Sequence, residues 1–241
     1  MAGSQCCSNP PVLMSNSGKG SVEEIVGLKV YVAAAASSSS KHGILLVSDV
    51  FGYEAPKLRK LADKIADAGF HVAVPDFFCG DPFSYDNPEK PLPVWRSFHR
   101  GDKEFEDAKT VINALKSDGI SNIGAAGFCW GAKVVVQLAS SDCIEAAVMF
   151  HPSFVTQDEM KEVQVPIAIL GAEIDKYCSP EVLKQFDETL SANSEVTSFV
   201  KMFPGTVHGW TVRYDDNDEN AVKSAEEAHE DMLTWFNKYV K

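Results

Sequence analysis

The sequence predicts an α/β fold, with a mainly parallel central sheet covered by helices on both faces. Two observations predict it. Short apolar runs, read as buried strands, recur along the whole chain, and amphipathic helical stretches alternate with them. The 241 residues, 45% hydrophobic, suffice for one sizeable core.

Residues 1–20 are Ser/Asn/Pro-rich and are expected to be a loose lead-in; residues 21–241 are expected to form a single domain. Residues 27–33 alternate and suit an edge strand, and the Ala/Ser-rich residues 34–41 suit a loop. Residues 43–48 read as a central strand, ended by Asp49-Val50-Phe51-Gly52. Leu58, Leu61, Ile65 and Ala68 share one face of a helix over 56–68, stopped by Gly69. Residues 71–75 are the next strand, followed by Asp76. The Pro-, Asp- and aromatic-rich residues 77–93 make a long excursion at a strand end, where such folds build pockets. A helix over 105–115, a strand over 123–126 and a helix over 131–139 follow. Strands over 145–150 and 166–170 lead to His151-Pro152 and to Gly171-Ala-Glu-Ile-Asp175. A helix over 180–190, a strand over 197–203 leading to Pro204-Gly-Thr-Val-His208, and a long helix over 221–240 close the chain. No internal repeat or linker interrupts this order.

The formal net charge of -12 argues against nucleic acid and anionic membranes as partners. No apolar run is long enough to span a membrane, and residues 1–19 lack the apolar core of a signal peptide, so a cytoplasmic location is expected. The six cysteines, including the adjacent Cys6 and Cys7, are expected to be free thiols, and none has zinc-ligand spacing. The chain is expected to act as a monomer or dimer.

Gly127-Phe-Cys-Trp-Gly131 lies between a predicted strand and a predicted helix. Small residues let the chain turn sharply there, and the helix N-terminus favours a thiolate on Cys129. The pattern Gly-x-Cys-x-Gly is the nucleophile elbow of the α/β-hydrolase fold, with Cys in place of Ser. In that fold the order is nucleophile, acid, His; Cys129, Asp175 and His208 follow three predicted strands in that order. Loops at the carboxyl ends of parallel strands share one rim, so the three can converge. The imidazole would take the thiol proton, the carboxylate would fix its tautomer, and two N–H groups would hold the oxyanion. Those donors are expected to be the backbone N–H groups of Trp130 and Val50.

These motifs resemble the dienelactone hydrolase family (carboxymethylenebutenolidase-like), and the wording its plant branch. Gly127-Phe-Cys-Trp-Gly131, Asp175, His208-Gly-Trp-Thr-Val-Arg213, Ser48-Asp-Val-Phe-Gly52 and Pro75-Asp76 carry the resemblance, which covers the chain from about Val22 onward. It implies a Cys-Asp-His hydrolase of a small lactone or enol ester, without a cofactor. It also implies that Asp49, standing where bacterial members carry Glu, helps to remove the thiol proton. Arg213 stands near one of the two arginines that hold a substrate carboxylate in those members; Arg96 and Arg100 are the nearest candidates for the other. Phe77, Phe78, Phe83, Tyr85 and Trp95 line either an apolar pocket or ordinary core. His151 either faces the site or caps a turn.

Two other classes stay open. A glycoside hydrolase needs two carboxylates flanking a sugar, and Asp49, Glu54, Asp76 and Asp81 supply acids without singling out a pair. A ligand-binding protein on a hydrolase scaffold would be marked by a lost triad member, and none is lost.

Overall fold

The computed structural model describes residues 9–13, 16–35 and 40–241. Cys6, Cys7, half of the predicted lead-in and residues 36–39 of the predicted Ala/Ser loop lie outside the described residues. One eight-stranded sheet runs in the order β1-β2-β4-β3-β5-β6-β7-β8. Its strands are β1 (Ser21–Ile25), β2 (Leu28–Ala33), β3 (His42–Val47), β4 (His71–Pro75), β5 (Asn122–Phe128), β6 (Ala146–Phe150), β7 (Ile167–Ile174) and β8 (Ser198–Val207). The β1–β2 and β2–β4 pairs are antiparallel; every pair from β4 to β8 is parallel.

The apolar runs are buried because helices cover both faces. Along β3, Ile44 and Leu46 pack toward α1 (Pro56–Asp67) and α7 (Glu219–Tyr239). Leu45 and Val47 pack toward α3 (Asp102–Ser117), α4 (Gly131–Ala139) and α6 (Pro180–Ser191). A period of two puts neighbours on opposite faces, so a strand buried on both must be apolar throughout. Two short helices, α2 (Leu92–Phe98) and α5 (Gln157–Lys161), sit in connections. Among the described residues no helix is long and apolar enough to cross a membrane.

The structure departs from the sequence reading in four places. The strand over 27–33 is not the edge: β1 pairs outside it. The described end of the lead-in is tied down: the Lys19 N–H donates to Asp63 (2.8 Å), the Gly20 N–H to the Tyr31 hydroxyl (2.7 Å), and Arg59 to the Ser17 carbonyl (3.4 Å). The excursion after β4 runs into a helix that the sequence reading lacks, α2, anchored by the buried Trp95. Strands β7 and β8 run on past Gly171 and Pro204, through a register shift near Ala172, to pair Ile174 with Val207. Pro204 fits there because β8 is an edge strand, where a missing N–H need not break a ladder.

Candidate active site

Strand β5 pairs with β3 so that Gly127 lies opposite Val47. Two residues beyond Gly127 comes Cys129; three beyond each partner come Trp130 and Val50. The parallel register therefore brings the two expected oxyanion donors to neighbouring loops at one sheet end. Among the described residues, neither N–H donates to a backbone carbonyl.

The elbow is as tight as its small residues imply. Cys129 has φ 53°, a left-handed conformation that an L side chain adopts only under constraint. A Cβ on Gly131 would lie 2.2 Å from the Val47 carbonyl oxygen, and one on Gly127 would lie 2.4 Å from that of Gly131. Only glycine allows the backbone to approach so closely. The Cys129 N–H donates to the Phe150 carbonyl at 3.1 Å, which locks the elbow to the end of β6.

The three predicted triad residues converge here. Cys129 is fully buried and His208 and Asp175 nearly so. His208 Nδ1 lies 2.6 Å from Asp175 Oδ2. The other carboxylate oxygen of Asp175 accepts the N–H groups of Tyr177 (2.8 Å) and Cys178 (3.2 Å), so the acid is fixed in orientation. Burial works to lower the His208 pKa, but the negative charge of Cys129 and hydrogen bonds with Asp175 and Cys129 outweigh it and hold it up at about 9. At neutral pH the imidazole therefore sits protonated, between Asp175 and Cys129.

Asp49 is buried beside them. Its Oδ1 accepts the Phe51 N–H (3.0 Å), and its Oδ2 lies 3.1 Å from Arg213 Nε. Burial pushes its pKa up to about 6, with the Cys129 charge adding and Arg213 opposing. Arg213 is itself buried, its guanidinium 5.4 Å from the centre of the Phe51 ring. The two groups bracket the working range. Below about pH 6 Asp49 takes a proton; above about pH 9 His208 loses its own. We expect kcat/KM to be bell-shaped between these limits, measurable as a pH–rate profile from 4 to 10.5. An acid limb near pH 4 would mean that Asp49 plays no part.

Of the two arginine candidates on α2 and just after it, Arg96 lies with its guanidinium 3.5 Å from the centre of the Phe154 ring. Phe154 meets Tyr177, and Tyr177 meets His208 (ring centroids 5.5 and 5.3 Å). This stack runs from the buried imidazole to the exposed Arg96. Arg100 is exposed and lines a surface recess with Arg96, Pro93 and Ser97. The aromatic group of the excursion divides: Phe77, Phe78, Phe83 and Trp95 are core, while Tyr85 is exposed. Phe78 and Trp95 pack on Trp130 at 4.7 and 6.4 Å. A clasp secures them. His99 lies between Glu104 (3.2 Å) and Asp81 (3.1 Å), and its carbonyl accepts the Trp130 indole N–H (2.9 Å).

His151 faces the site. It is fully buried, edge-on to His208 at 4.9 Å, with Nε2 2.9 Å from the Thr211 hydroxyl. Burial, aided by the nearby His208 and Arg213 charges, lowers its pKa well below the usual value and keeps it neutral. One residue at the site escaped the sequence reading. The Ser153 hydroxyl lies 3.5 Å from both Cys129 Sγ and His208 Nε2. It stands just past the end of β6, the kind of position that singled out Asp175 and His208.

The four carboxylates considered for a glycosidase fall in three separate places. Asp49 is in the site; Asp81 is in the His99 clasp; Asp76 accepts the Gly80 and Phe78 N–H groups and shares a small cleft with Glu54.

Residues 28–240 match the Dienelactone hydrolase family. An "Endo-1,3;1,4-beta-D-glucanase" of Zea mays is 43% identical over 202 residues, 81% of this chain. The chain spans 64% of the length of that maize relative. A "Carboxymethylenebutenolidase homolog" of Xenopus tropicalis is 30% identical over 226 residues, covering 92% of both chains. The crystal structure of a putative dienelactone hydrolase from Klebsiella pneumoniae superposes with a TM-score of 0.75 at 19% identity, over 91% of this chain and 98% of that one. At that identity the likeness shows a shared α/β-hydrolase fold.

Proposed function

The chain belongs to the dienelactone hydrolase family, and on that premise we propose that it cleaves small esters or lactones through a thioester on Cys129. As a member it is a carboxylic ester or lactone hydrolase. The observation that carries the cysteine mechanism is the buried series of Cys129, His208 and Asp175, with His208 Nδ1 2.6 Å from Asp175 and the imidazole protonated up to about pH 9.

The steps follow from this geometry. The thiolate attacks the acyl carbon and a C–S bond forms. The carbonyl oxygen becomes an oxyanion, held by the N–H groups of Trp130 and Val50. The C–O bond to the leaving group breaks as His208 Nε2 gives that oxygen its proton. Neutral Nε2 then takes a proton from water, which attacks the thioester; the C–S bond breaks and the thiolate returns. Asp175 keeps Nδ1 protonated throughout. Asp49 would serve as a second base when Cys129 carries its proton, and Arg213, bound to Asp49, would hold an acidic group of the substrate.

A second reading is favoured by one observation, the name of the maize relative: action on a mixed-linkage β-glucan. The test is hydrolysis of p-nitrophenyl acetate, dienelactone and barley β-glucan, before and after iodoacetamide. Turnover of either ester, abolished by alkylation, supports the proposal. Release of reducing sugar from the glucan that survives alkylation would replace it with the second reading.

A further inference from the structure

The turn after β6 is built against the nucleophile. The Ser153 N–H donates to the Cys129 carbonyl at 3.0 Å. Two residues of the same turn, His151 (φ 37°) and Phe154 (φ 64°), have left-handed backbones without being glycine. Strain of this kind persists only where the surroundings impose it, and it clusters at working sites. What it achieves here is to aim one hydroxyl. Ser153 is fully buried, and among the described residues its hydroxyl contacts Cys129 Sγ and His208 Nε2 and no backbone group. The hydroxyl is therefore not a turn cap. A buried hydroxyl costs free energy unless it is bonded, so alanine would be the cheaper residue if the position served packing alone.

The two 3.5 Å contacts differ in quality. For a large, soft sulfur that distance is an ordinary hydrogen bond; for oxygen to nitrogen it is at the outer limit. The hydroxyl has one hydrogen to give. A protonated Nε2 offers no lone pair, so the hydrogen goes to sulfur and the oxygen faces Nε2–H.

We propose that Ser153 is a catalytic residue whose hydroxyl donates to the Cys129 sulfur and holds it as a thiolate before attack. The inference rests on Cys129 being the nucleophile. Ser153 keeps its proton throughout. As the C–S bond forms, charge leaves sulfur for the oxyanion and this hydrogen bond weakens; as the C–O bond breaks, the leaving oxygen takes the Nε2 proton. The hydroxyl thus acts on the resting thiolate more than on the acylated enzyme. It raises the thiolate fraction at neutral pH and tempers the thiolate's reactivity.

The opposing effects give a signature that a packing defect does not share. The rate of iodoacetamide attack on Cys129, followed by mass spectrometry of its peptide from pH 4 to 10, is compared in wild type, Ser153→Ala and Ser153→Thr. Ser153→Gly is a second variant without the hydroxyl, should the alanine variant not fold. Loss of the hydroxyl is expected to move the midpoint of the profile up by about one pH unit. Alkylation then becomes about threefold slower on the acid limb and about threefold faster on the alkaline plateau, because a more basic thiolate is intrinsically more reactive. Ser153→Thr restores the wild-type profile. Superimposable profiles, or a rate lowered equally at every pH, would overturn the role of Ser153. Ester hydrolysis that persists in Cys129→Ala would overturn the nucleophile, and the Ser153 role with it, so the two failures are distinct.

Discussion

Cys129→Ala is expected to lower kcat for ester hydrolysis by roughly a million-fold, leaving only what the oxyanion donors and substrate binding supply. The variant should still fold. Alanine at φ 53° meets the same backbone constraint as cysteine and removes one buried sulfur from the elbow. The loss is then chemical, and a second readout separates it from damage. His208 owes its raised pKa in part to the charge of Cys129 and to its bond with that residue. Removing a neighbouring negative charge disfavours the imidazolium, so the His208 pKa should fall from about 9 in the variant. Imidazole proton resonances followed through a pH titration would read this directly. A kcat within tenfold of wild type would sink the thioester mechanism. An unchanged His208 titration alongside a large loss of activity would mean that the ring is not paired with a thiolate at rest.

The features that make this prediction possible were unevenly legible in the sequence. The triad was readable because each member follows an apolar run, and a parallel sheet brings the carboxyl ends of its strands to one rim. The elbow was readable because close approach of β5, α4 and the end of β3 demands glycine at 127 and 131. Ser153 obeys the same strand-end rule, but serine is common in loops, and its nearness to Sγ depends on the strained turn around it. Strand β1 left no pattern, because Ser21–Ile25 has no fully buried position and so no apolar face to alternate. Helix α5 is only five residues long with one buried side chain, Met160. In the structure a capping box starts it, with Thr156 and Glu159 bonding each other's backbone N–H groups, but so short a helix shows no apolar period. The joining of Asp49 to Arg213 lies further out of reach of sequence. The two are 164 positions apart and meet only because the loops after β3 and β8 fold over the same elbow.

Asp175→Asn is expected to lower kcat by about 10⁴-fold with little change in KM. Asparagine is nearly isosteric, and its carbonyl oxygen can still accept the Tyr177 and Cys178 N–H groups that Asp175 accepts now. Its amide nitrogen then faces His208 Nδ1, where a carboxylate oxygen stood at 2.6 Å. Two donors cannot share that contact. The ring must present a lone pair at Nδ1 and carry its proton on Nε2, so it can neither accept the thiol proton nor become an imidazolium without repulsion. Asp175 is buried, with its bonds spent on His208, Tyr177 and Cys178, which is why the loss should fall on kcat. The alkaline limb of the pH–rate profile should also move below pH 9, because a partner that holds the imidazolium is gone. The downfield Nδ1–H proton resonance of the wild type should disappear. Asp175→Asn activity within tenfold of wild type, with the limb unmoved, would mean that Asp175 only shapes its turn.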